Sequence, residues 1–103
     1  MSIQTRVIPV NFNGGTASQI VEVGPYVYGA LWLPTGFTTA NLTFQLSHGA
    51  DASFFPLDGT SGSITSAAAE KVYDVSGMIK CANALKIISA SAQTLTAYLI
   101  LKG

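Results

Sequence analysis

Alternation of apolar and polar residues with a period of two is the feature that most constrains the fold of this chain. The clearest instance is the segment 42–47, LTFQLS, in which three apolar side chains alternate with three polar ones. Successive side chains on a strand point to opposite faces, so such a segment buries one face and exposes the other. Clusters of Gly, Pro, Asn and Asp interrupt the alternation at short intervals, and no window shows an apolar stripe of helical period. The pattern therefore predicts an antiparallel β fold.

The turn signals divide the chain into about eight or nine short segments, each predicted to be a strand. These segments are 5–10, 18–23, 26–33, 42–47, 53–57, 63–65, 71–75, 84–90 and 94–102. Residues 67–70 are predicted to form one helical turn, and residues 76–84 a loop or a short helical turn. Since neither could cover a sheet, we expect an all-β, two-sheet antiparallel sandwich of the jelly-roll or Greek-key type with about eight short strands, and a closed barrel is the alternative. A chain of 103 residues is predicted to form a single domain, 1–103.

Several single residues predict where strands end and what covers the core. Pro9 favours a sheet edge or a strand end for the first strand, because proline cannot donate to the ladder. The turn 11–15, NFNGG, is predicted to use the conformational freedom of its two glycines to adopt positive φ. Phe37 is predicted to plug the end of the core. Met78 and Ile79 are predicted to lie beneath the loop that contains them.

The segment 26–33, YVYGALWL, is apolar on both faces. Tyr26, Tyr28 and Trp32 share the face opposite to Leu31. Two interpretations of this aromatic face are open. Its rings fill a second packed layer of the sandwich, or they form a contact surface for a sugar or a protein, since aromatic rings give a large contact area at a small entropic cost.

The composition predicts a neutral exterior. Charged residues make up 10% of the chain and the formal net charge is +0, whereas an ordinary soluble domain has about 25% charged residues. No sustained field attracts phosphate backbones or anionic lipids, so nucleic acids and membranes are not expected as partners. Few charges also mean little repulsion between copies, and the mean hydropathy is +0.42. We therefore expect other copies of the chain, or a larger partner, to cover much of the surface.

The cellular context is predicted from the N-terminus, the uncharged runs and the cysteine count. Arg6 lies within the first apolar stretch, which shows no cleavable signal pattern. The longest uncharged run, 23–50, contains Pro and Gly residues that would break a membrane-spanning helix. Cys81 is the only cysteine, which fits folding in the cytosol, and it is predicted to be a small buried apolar residue.

Reactive residues are scarce. His48 is the only histidine, so a metal site with two histidines is impossible. Ser47 and His48 are adjacent on a strand and point to opposite faces, which argues against a Ser-His-Asp arrangement with Asp51. Asp51, Asp58 and Asp74 lack the Asp-x-Asp spacing of a calcium loop. The chain is therefore not expected to be an enzyme, and no cofactor or metal is expected.

A series of segments in chain order carries a resemblance to a known family. They are IPV and NFNGGTAS near the N-terminus, GFTTANLTFQLS at 36–47, the return F-x-P-L, VYDV, LKIIS and the alternating final strand. In this order they resemble, almost end to end, the small jelly-roll head decoration or cement proteins that tailed bacteriophages encode beside the major capsid protein. The segment 36–47 is the most specific part of the match.

The resemblance implies a structural protein of the virion head, made in the bacterial host cytoplasm. Such a protein binds the outer surface of the capsid shell and stabilises it. The implied partners are the major capsid protein and further copies of the chain, as a trimer or dimer, and no catalytic or cofactor residues are implied. Two alternatives are open, namely another virion component (a tail, fibre or head-completion module) and a carbohydrate-binding jelly roll.

Predicted contact residues lie in four places: the N-terminal arm 2–9, the loop of Phe37, the loop 76–84 and the aromatic face of 26–33. They are Ile3, Arg6, Val7, Tyr26, Tyr28, Trp32, Phe37, Met78 and Ile79.

Overall fold

The computed structural model describes residues 5–24, 26–48, 53–56, 63–80 and 82–103. Within these ranges the chain forms nine strands and one short helix. In chain order they are β1 (Thr5–Asn11), β2 (Val21–Glu22), β3 (Tyr28–Leu33), β4 (Ala40–Ser47), β5 (Phe55–Pro56), β6 (Ser63–Ala67), β7 (Lys71–Asp74), α1 (Ser76–Lys80), β8 (Ala84–Ser89) and β9 (Thr96–Lys102). Their pairings are antiparallel, and the predicted all-β architecture is confirmed.

The strands form two sheets that pack face to face. The front sheet has the strand order β1-β9-β3-β7. The back sheet has the order β2-β8-β4, with β5 and β6 both paired to the far edge of β4. The strands pair from the two ends of the chain inward: β1 pairs with β9, β2 with β8 and β3 with β7. β4, the innermost strand of this series, pairs with β5 and β6, which share one position. A long hairpin rolled up in this way is a jelly roll. The predicted sandwich is thus confirmed, with nine strands because two share one position.

The alternation read from the sequence places one face of each long strand in the core between the sheets. Leu31 and Leu99 enter the core from the front sheet, and Leu42, Phe44 and Ile87 enter it from the back sheet. None of these five side chains is more than 1% exposed. Removing such a side chain from water contributes about 1.5–3 kcal/mol, so the core supplies the main stabilising term.

The end of β4 departs from the predicted alternation. Leu46, predicted inward, is half-buried, and Ser47, predicted outward, is buried. The chain just before β8 folds over this point, and the Asn83 N–H donates to the Ser47 carbonyl at 3.0 Å. The burial of Ser47 is therefore caused by the neighbouring segment and not by the apolar–polar alternation along β4.

The predicted strand 18–23 is reduced to the two residues of β2. Ser18 N–H donates to the Ile87 carbonyl at 2.8 Å, and the Ser18 hydroxyl accepts from Ile87 N–H at 2.8 Å. Gln19 turns the other way, because its N–H donates to the Asn11 carbonyl at 3.1 Å. The segment is hydrogen-bonded to both sheets, so it crosses between them and cannot continue as a ladder.

β1 is an edge strand of the front sheet, as Pro9 predicted. The amide of Gln19 donates to the Pro9 carbonyl at 3.1 Å. This bond, and the bond from Gln19 N–H to the Asn11 carbonyl, occupy the carbonyls that point away from the sheet in the second half of β1. Pro9 has no N–H that could donate to another strand. Part of the edge is therefore closed to pairing with another chain.

Two turn predictions are wrong in detail. In the turn 11–15, positive φ falls on Asn13 (52°) and Gly14 (80°), not on both glycines. Asn13 tolerates this conformation because its N–H donates to the Asn11 side chain at 3.2 Å.

Residues 67–70 do not form the predicted helical turn. The chain leaves β6 and reverses at residues 69–70, where Glu70 has φ 60° and donates its N–H to the Leu33 carbonyl.

Candidate functional site

The outward side of the front sheet carries most of the exposed apolar side chains of the strands. We call this surface the aromatic face. It consists of Val7, Pro9, Tyr28, Ala30, Trp32, Val72, Tyr98 and Ile100.

Sheet register brings these side chains together from four distant segments. Trp32 lies between Tyr98 on β9 and Val72 on β7, and Pro9 of β1 lies on the other side of Tyr98. One row of the sheet therefore reads Pro9, Tyr98, Trp32, Val72. The next row reads Val7, Ile100, Ala30 and then the carboxylate of Asp74. Side chains directly opposite on neighbouring strands lie about 4.5–5.5 Å apart at Cβ, so each row is a continuous contact strip.

The large side chains of the aromatic face are about half exposed. The exposed fraction is 57% for Tyr28, 47% for Trp32 and 46% for Tyr98, and it is 56% and 49% for Val7 and Val72. Single exposed apolar residues are ordinary, but a contiguous patch of this kind marks a surface that binds something.

The outward side of the back sheet is different in character. Its central strand β4 presents Asn41, Thr43 and Gln45, and the neighbouring strand β8 presents Lys86 beside Ile88. The middle of the back sheet thus presents mainly polar side chains, with exposed or half-buried rings at its β5 edge, namely Phe55 and the Phe54 ring 5.0 Å from the Lys86 ammonium. The middle of the front sheet presents rings.

A shallow recess of about 230 Å³ lies at one end of the aromatic face. Its lining comes from β3, β7, β9 and the start of α1. The lining residues are Tyr28, Gly29, Ala30, Asp74, Ser76, Ile100 and Lys102. The wall is mostly apolar, and one carboxylate and one ammonium group stand at its border.

Asp74 is held in place at this recess by Ser76. The Ser76 hydroxyl donates to Asp74 Oδ1 at 2.7 Å and the Ser76 N–H donates to the same oxygen at 3.0 Å. These two bonds, with a smaller contribution from the charge of Lys80, lower the pKa of Asp74, against a small opposing effect of desolvation. Asp74 is therefore ionised at neutral pH and presents a fixed negative group.

The helix α1 anchors the same end of β3. Gly29 N–H donates to the Ser76 hydroxyl at 3.1 Å, and Val75 N–H donates to the Gly29 carbonyl at 2.9 Å. The Lys80 ammonium lies 5.5 Å from the centre of the Tyr28 ring, a distance at which a cation attracts the face of an aromatic ring. Tyr28 and Asp74 are thereby fixed relative to the recess.

The structure brings three of the predicted contact residues together. Val7, Tyr28 and Trp32 all lie on the aromatic face. Tyr28 and Trp32 therefore do not fill a second packed layer, and that interpretation is wrong for them. It holds for Tyr26, which precedes β3 and packs against the core instead of sharing their face. Arg6 points to the other side of β1, beside Gln19 and its neighbours, and is exposed away from the aromatic face.

Three other predicted contact residues belong to the core. Phe37 is 5% exposed, Met78 is 4% exposed and Ile79 is 1% exposed. Their predicted positions, Phe37 as a plug and the other two beneath the loop, are confirmed. These three side chains pack inside the core and leave almost no surface exposed to a partner. The prediction that they contact a partner was made because they are apolar, and in this fold that property serves core packing. Ile3 lies outside the described residues.

The sequence did not indicate Tyr98, Val72 and Ile100 as site residues. Alternation in 94–102 did place Tyr98 and Ile100 on the face opposite to the buried leucines, and that placement is correct. What the sequence lacks is the register, which sets Tyr98 beside Trp32. A strand pairing between residues so far apart in the chain leaves no local signal.

The reactive groups considered from the sequence are not assembled in the described part of the chain. Ser47 is buried and His48 is exposed, as expected for neighbours on a strand end. No group of three or more His, Cys, Asp or Glu side chains lies close enough to hold a metal among the residues described. Asp51, Asp58 and Cys81 lie outside those residues. α1, the one helix within the described ranges, is far too short to cross a bilayer.

No family model, curated protein or solved structure matches the chain.

Proposed function

We propose that the protein is a non-enzymatic structural component of a virion. In this proposal it is a decoration or cement protein on the outer surface of a tailed-phage head. It binds the major capsid protein and stabilises the shell. The proposal takes the family resemblance of the sequence as its starting point, and the jelly-roll topology is consistent with that resemblance.

The observation that carries the proposal is the aromatic face. A rigid sheet presents three half-exposed rings and two half-exposed valines in register, on a protein with formal net charge +0. Covering such a surface with another protein lowers the free energy, because apolar area is removed from water. Binding of this kind needs no reactive group.

Stabilisation of a shell follows from preferential binding. A protein that binds only the assembled lattice stabilises it by mass action, in the way that a ligand stabilises a folded state. Each contact can be small, because many copies act on one shell at once.

The test is co-sedimentation of the purified chain with mature heads and with unexpanded precursor shells of the virus that encodes it. We expect saturable binding to mature heads and a higher temperature of shell disruption. Trp32→Ala should weaken the binding, and Phe55→Ala, which removes a 65% exposed ring from the other sheet, should not. Absence of binding to either shell would defeat the proposal. Immunogold labelling at a vertex or on the tail would instead assign the chain to another virion component.

A carbohydrate-binding jelly roll is the second candidate. The observation in its favour is that Tyr28 and Trp32 lie on one sheet face beside a recess with polar groups at its border. Aromatic rings on such a face can stack on sugar rings. A glycan array tests this directly, and binding that Trp32→Ala abolishes would favour this function over attachment to a shell.

A further inference from the structure

The turn that follows β1 contains the only Asn-Gly pair of the chain, Asn13–Gly14. In such a pair the backbone nitrogen of the glycine can attack the side-chain carbonyl carbon of the asparagine, because glycine has no side chain to obstruct the approach. Asparagine is one of the chemically thermolabile residues. Each of the other three asparagines is followed by a residue whose side chain hinders the same attack, namely Phe12, Leu42 or Ala84.

The side chain of Asn13 is open to this reaction. Asn13 is exposed, and no hydrogen bond holds its side-chain amide within the described part of the chain. Its backbone N–H, by contrast, donates to the Asn11 side chain at 3.2 Å. The reacting carbon, Cγ of Asn13, is therefore accessible to water and to the neighbouring peptide.

The other reacting atom, the backbone nitrogen of Gly14, is held in place. Its N–H donates to the Gln93 carbonyl at 2.9 Å, and the Gln93 N–H donates to the Gly15 carbonyl at 3.0 Å. We call these two bonds the Gln93 clamp. Gln93 is 1% exposed, and its side chain is bonded to both backbone groups of Thr38. Since the Gly14 nitrogen must lose its proton and turn toward the Asn13 side chain, its bond to Gln93 has to open before the two atoms can react.

We propose that Asn13 is a site of spontaneous deamidation, and that the native fold protects it through the Gln93 clamp. A bond forms between Gly14 N and Asn13 Cγ, the bond from Cγ to Nδ2 breaks, and the proton of the Gly14 N–H leaves with the departing ammonia. Water then opens the resulting five-membered imide at either carbonyl, which gives aspartate or isoaspartate at position 13. No oxidant, reductant or cofactor takes part. The proposal does not depend on the virion role proposed above.

The products differ from the native turn in charge and in length. Either product adds one negative charge to a chain whose formal net charge is +0. Isoaspartate also leads the main chain through the former side chain, which inserts a methylene group into the turn that the Gly15 N–H closes onto the Phe12 carbonyl at 2.8 Å. Aspartate keeps the main chain unchanged and tolerates the φ of 52° found at this position. We therefore expect the isoaspartyl product to loosen the turn more than the aspartyl product does.

The first experiment follows deamidation of the purified full chain near neutral pH, with and without denaturing urea. Chymotryptic cleavage after Phe12 places Asn11 and Asn13 in different peptides, and mass spectrometry measures the conversion of each. In urea we expect Asn13 to react several times faster than the other three asparagines. Gly14→Ala, also measured in urea, should remove this difference. Without urea, the reaction of Asn13 in the wild-type chain should be much slower.

The second experiment compares deamidation with hydrogen exchange of the Gly14 N–H in the wild-type chain. Both processes require this N–H to leave the Gln93 carbonyl, and exchange reports how often that opening occurs. Folding should therefore slow deamidation by at least the factor by which it slows exchange, which NMR measures. Deamidation that is slowed less than exchange would show that the reaction bypasses the clamp, and it would overturn the proposal.

The third experiment weakens the clamp by substitution. Gln93→Leu keeps the backbone carbonyl but removes the side-chain bonds that anchor it to Thr38, so native-state deamidation of Asn13 should become about fivefold faster or more. Gln19→Ala, which removes an exposed bond to Pro9, is the control and should leave the rate unchanged. Circular dichroism checks that both variants are folded, and the exchange measurement above needs no variant.

Three results would contradict the protected site. They are equal rates of Asn13 deamidation in native and urea-denatured chains, an Asn13 that is no more reactive in urea than the other asparagines, and an unchanged native rate in folded Gln93→Leu.

Discussion

Gly29 lies where β3 meets α1, and its lack of a side chain is what lets the helix pack there. A Cβ at this position would stand 2.7 Å from Cγ1 of Ile79, a side chain that is 1% exposed. Because Ile79 is enclosed in the core, it has little room to move aside. We expect Gly29→Ala to lower the free energy of unfolding by about 1–3 kcal/mol, measured by urea denaturation.

The matched control for this substitution is Gly77→Ala in α1. Gly77 is exposed and does not have positive φ. Alanine should therefore be neutral or stabilise the chain by up to about 1 kcal/mol, since glycine is the poorer helix former. Equal effects of the two substitutions would show that packing against Ile79 is not the cause.

Gln93 is a second residue whose role depends on atoms from distant loops. It is 1% exposed, its Oε1 accepts from Thr38 N–H at 2.9 Å, and its Nε2 donates to the Thr38 carbonyl at 2.8 Å. Gln93→Leu leaves both Thr38 groups without this partner, and we expect a loss of about 1–3 kcal/mol in unfolding free energy. Gln19→Ala, which removes one exposed side-chain bond, should cost less than about 1 kcal/mol. A smaller loss for Gln93→Leu than for Gln19→Ala would show that the buried bonds of Gln93 to Thr38 do not stabilise the fold in this way.

Asp74 gives the fold a pH-dependent contribution. Its pKa is lowered by the hydrogen bonds from Ser76, so it lies below the value of about 3.9 for an unperturbed aspartate. The stabilisation is complete above the unfolded pKa and is lost as the pH falls through the folded pKa. We therefore expect the stability difference between wild type and Asp74→Asn to be constant near neutral pH and to shrink below about pH 4. Denaturation curves at a series of pH values from neutral to acid measure this, and a difference that does not shrink as the pH falls below about 4 would refute the assignment.

At the scale of elements, the central strand β4 is the one whose core contacts matter most to the back sheet. Phe44 on β4 is 0% exposed, and Phe55 on the neighbouring β5 is 65% exposed. Phe44→Ala should reduce the unfolding free energy by about 3–5 kcal/mol because it leaves a cavity. Phe55→Ala should change it by no more than about 0.5 kcal/mol. Thermal denaturation of the pair tests whether the buried ring of Phe44 supports the packing of the two sheets while the exposed ring of Phe55 does not.

Elements were predictable from the sequence where their signal is local. Most long strands begin and end within two residues of their predicted bounds, because alternation and turn residues act within each segment. β2 was not predictable in this way. Its length is set by bonds such as that between Ser18 and Ile87, which are 69 residues apart in the chain. The hydrogen bonds of Gln93 to Thr38 could not be predicted from local sequence patterns either, since the two residues are 55 positions apart in the chain.

In the molecule as a whole, only part of the aromatic face could be predicted from the sequence. Tyr28 and Trp32 could be recognised because one strand was apolar on both faces. Whether those rings were core or surface could not be read from that strand, since it depends on which layer covers them. Tyr98 and Val72 joined the site only through sheet register, which arises from pairing across the entire roll.

We propose that another protein covers the aromatic face when the chain functions. Trp32 is the only tryptophan of the chain and is 47% exposed on that face, so its fluorescence reports on this surface alone. We expect the emission of a water-exposed indole in dilute solution, and a shift to shorter wavelength as the chain is concentrated or added to shells. Emission that stays at the water-exposed wavelength under all of these conditions would contradict it.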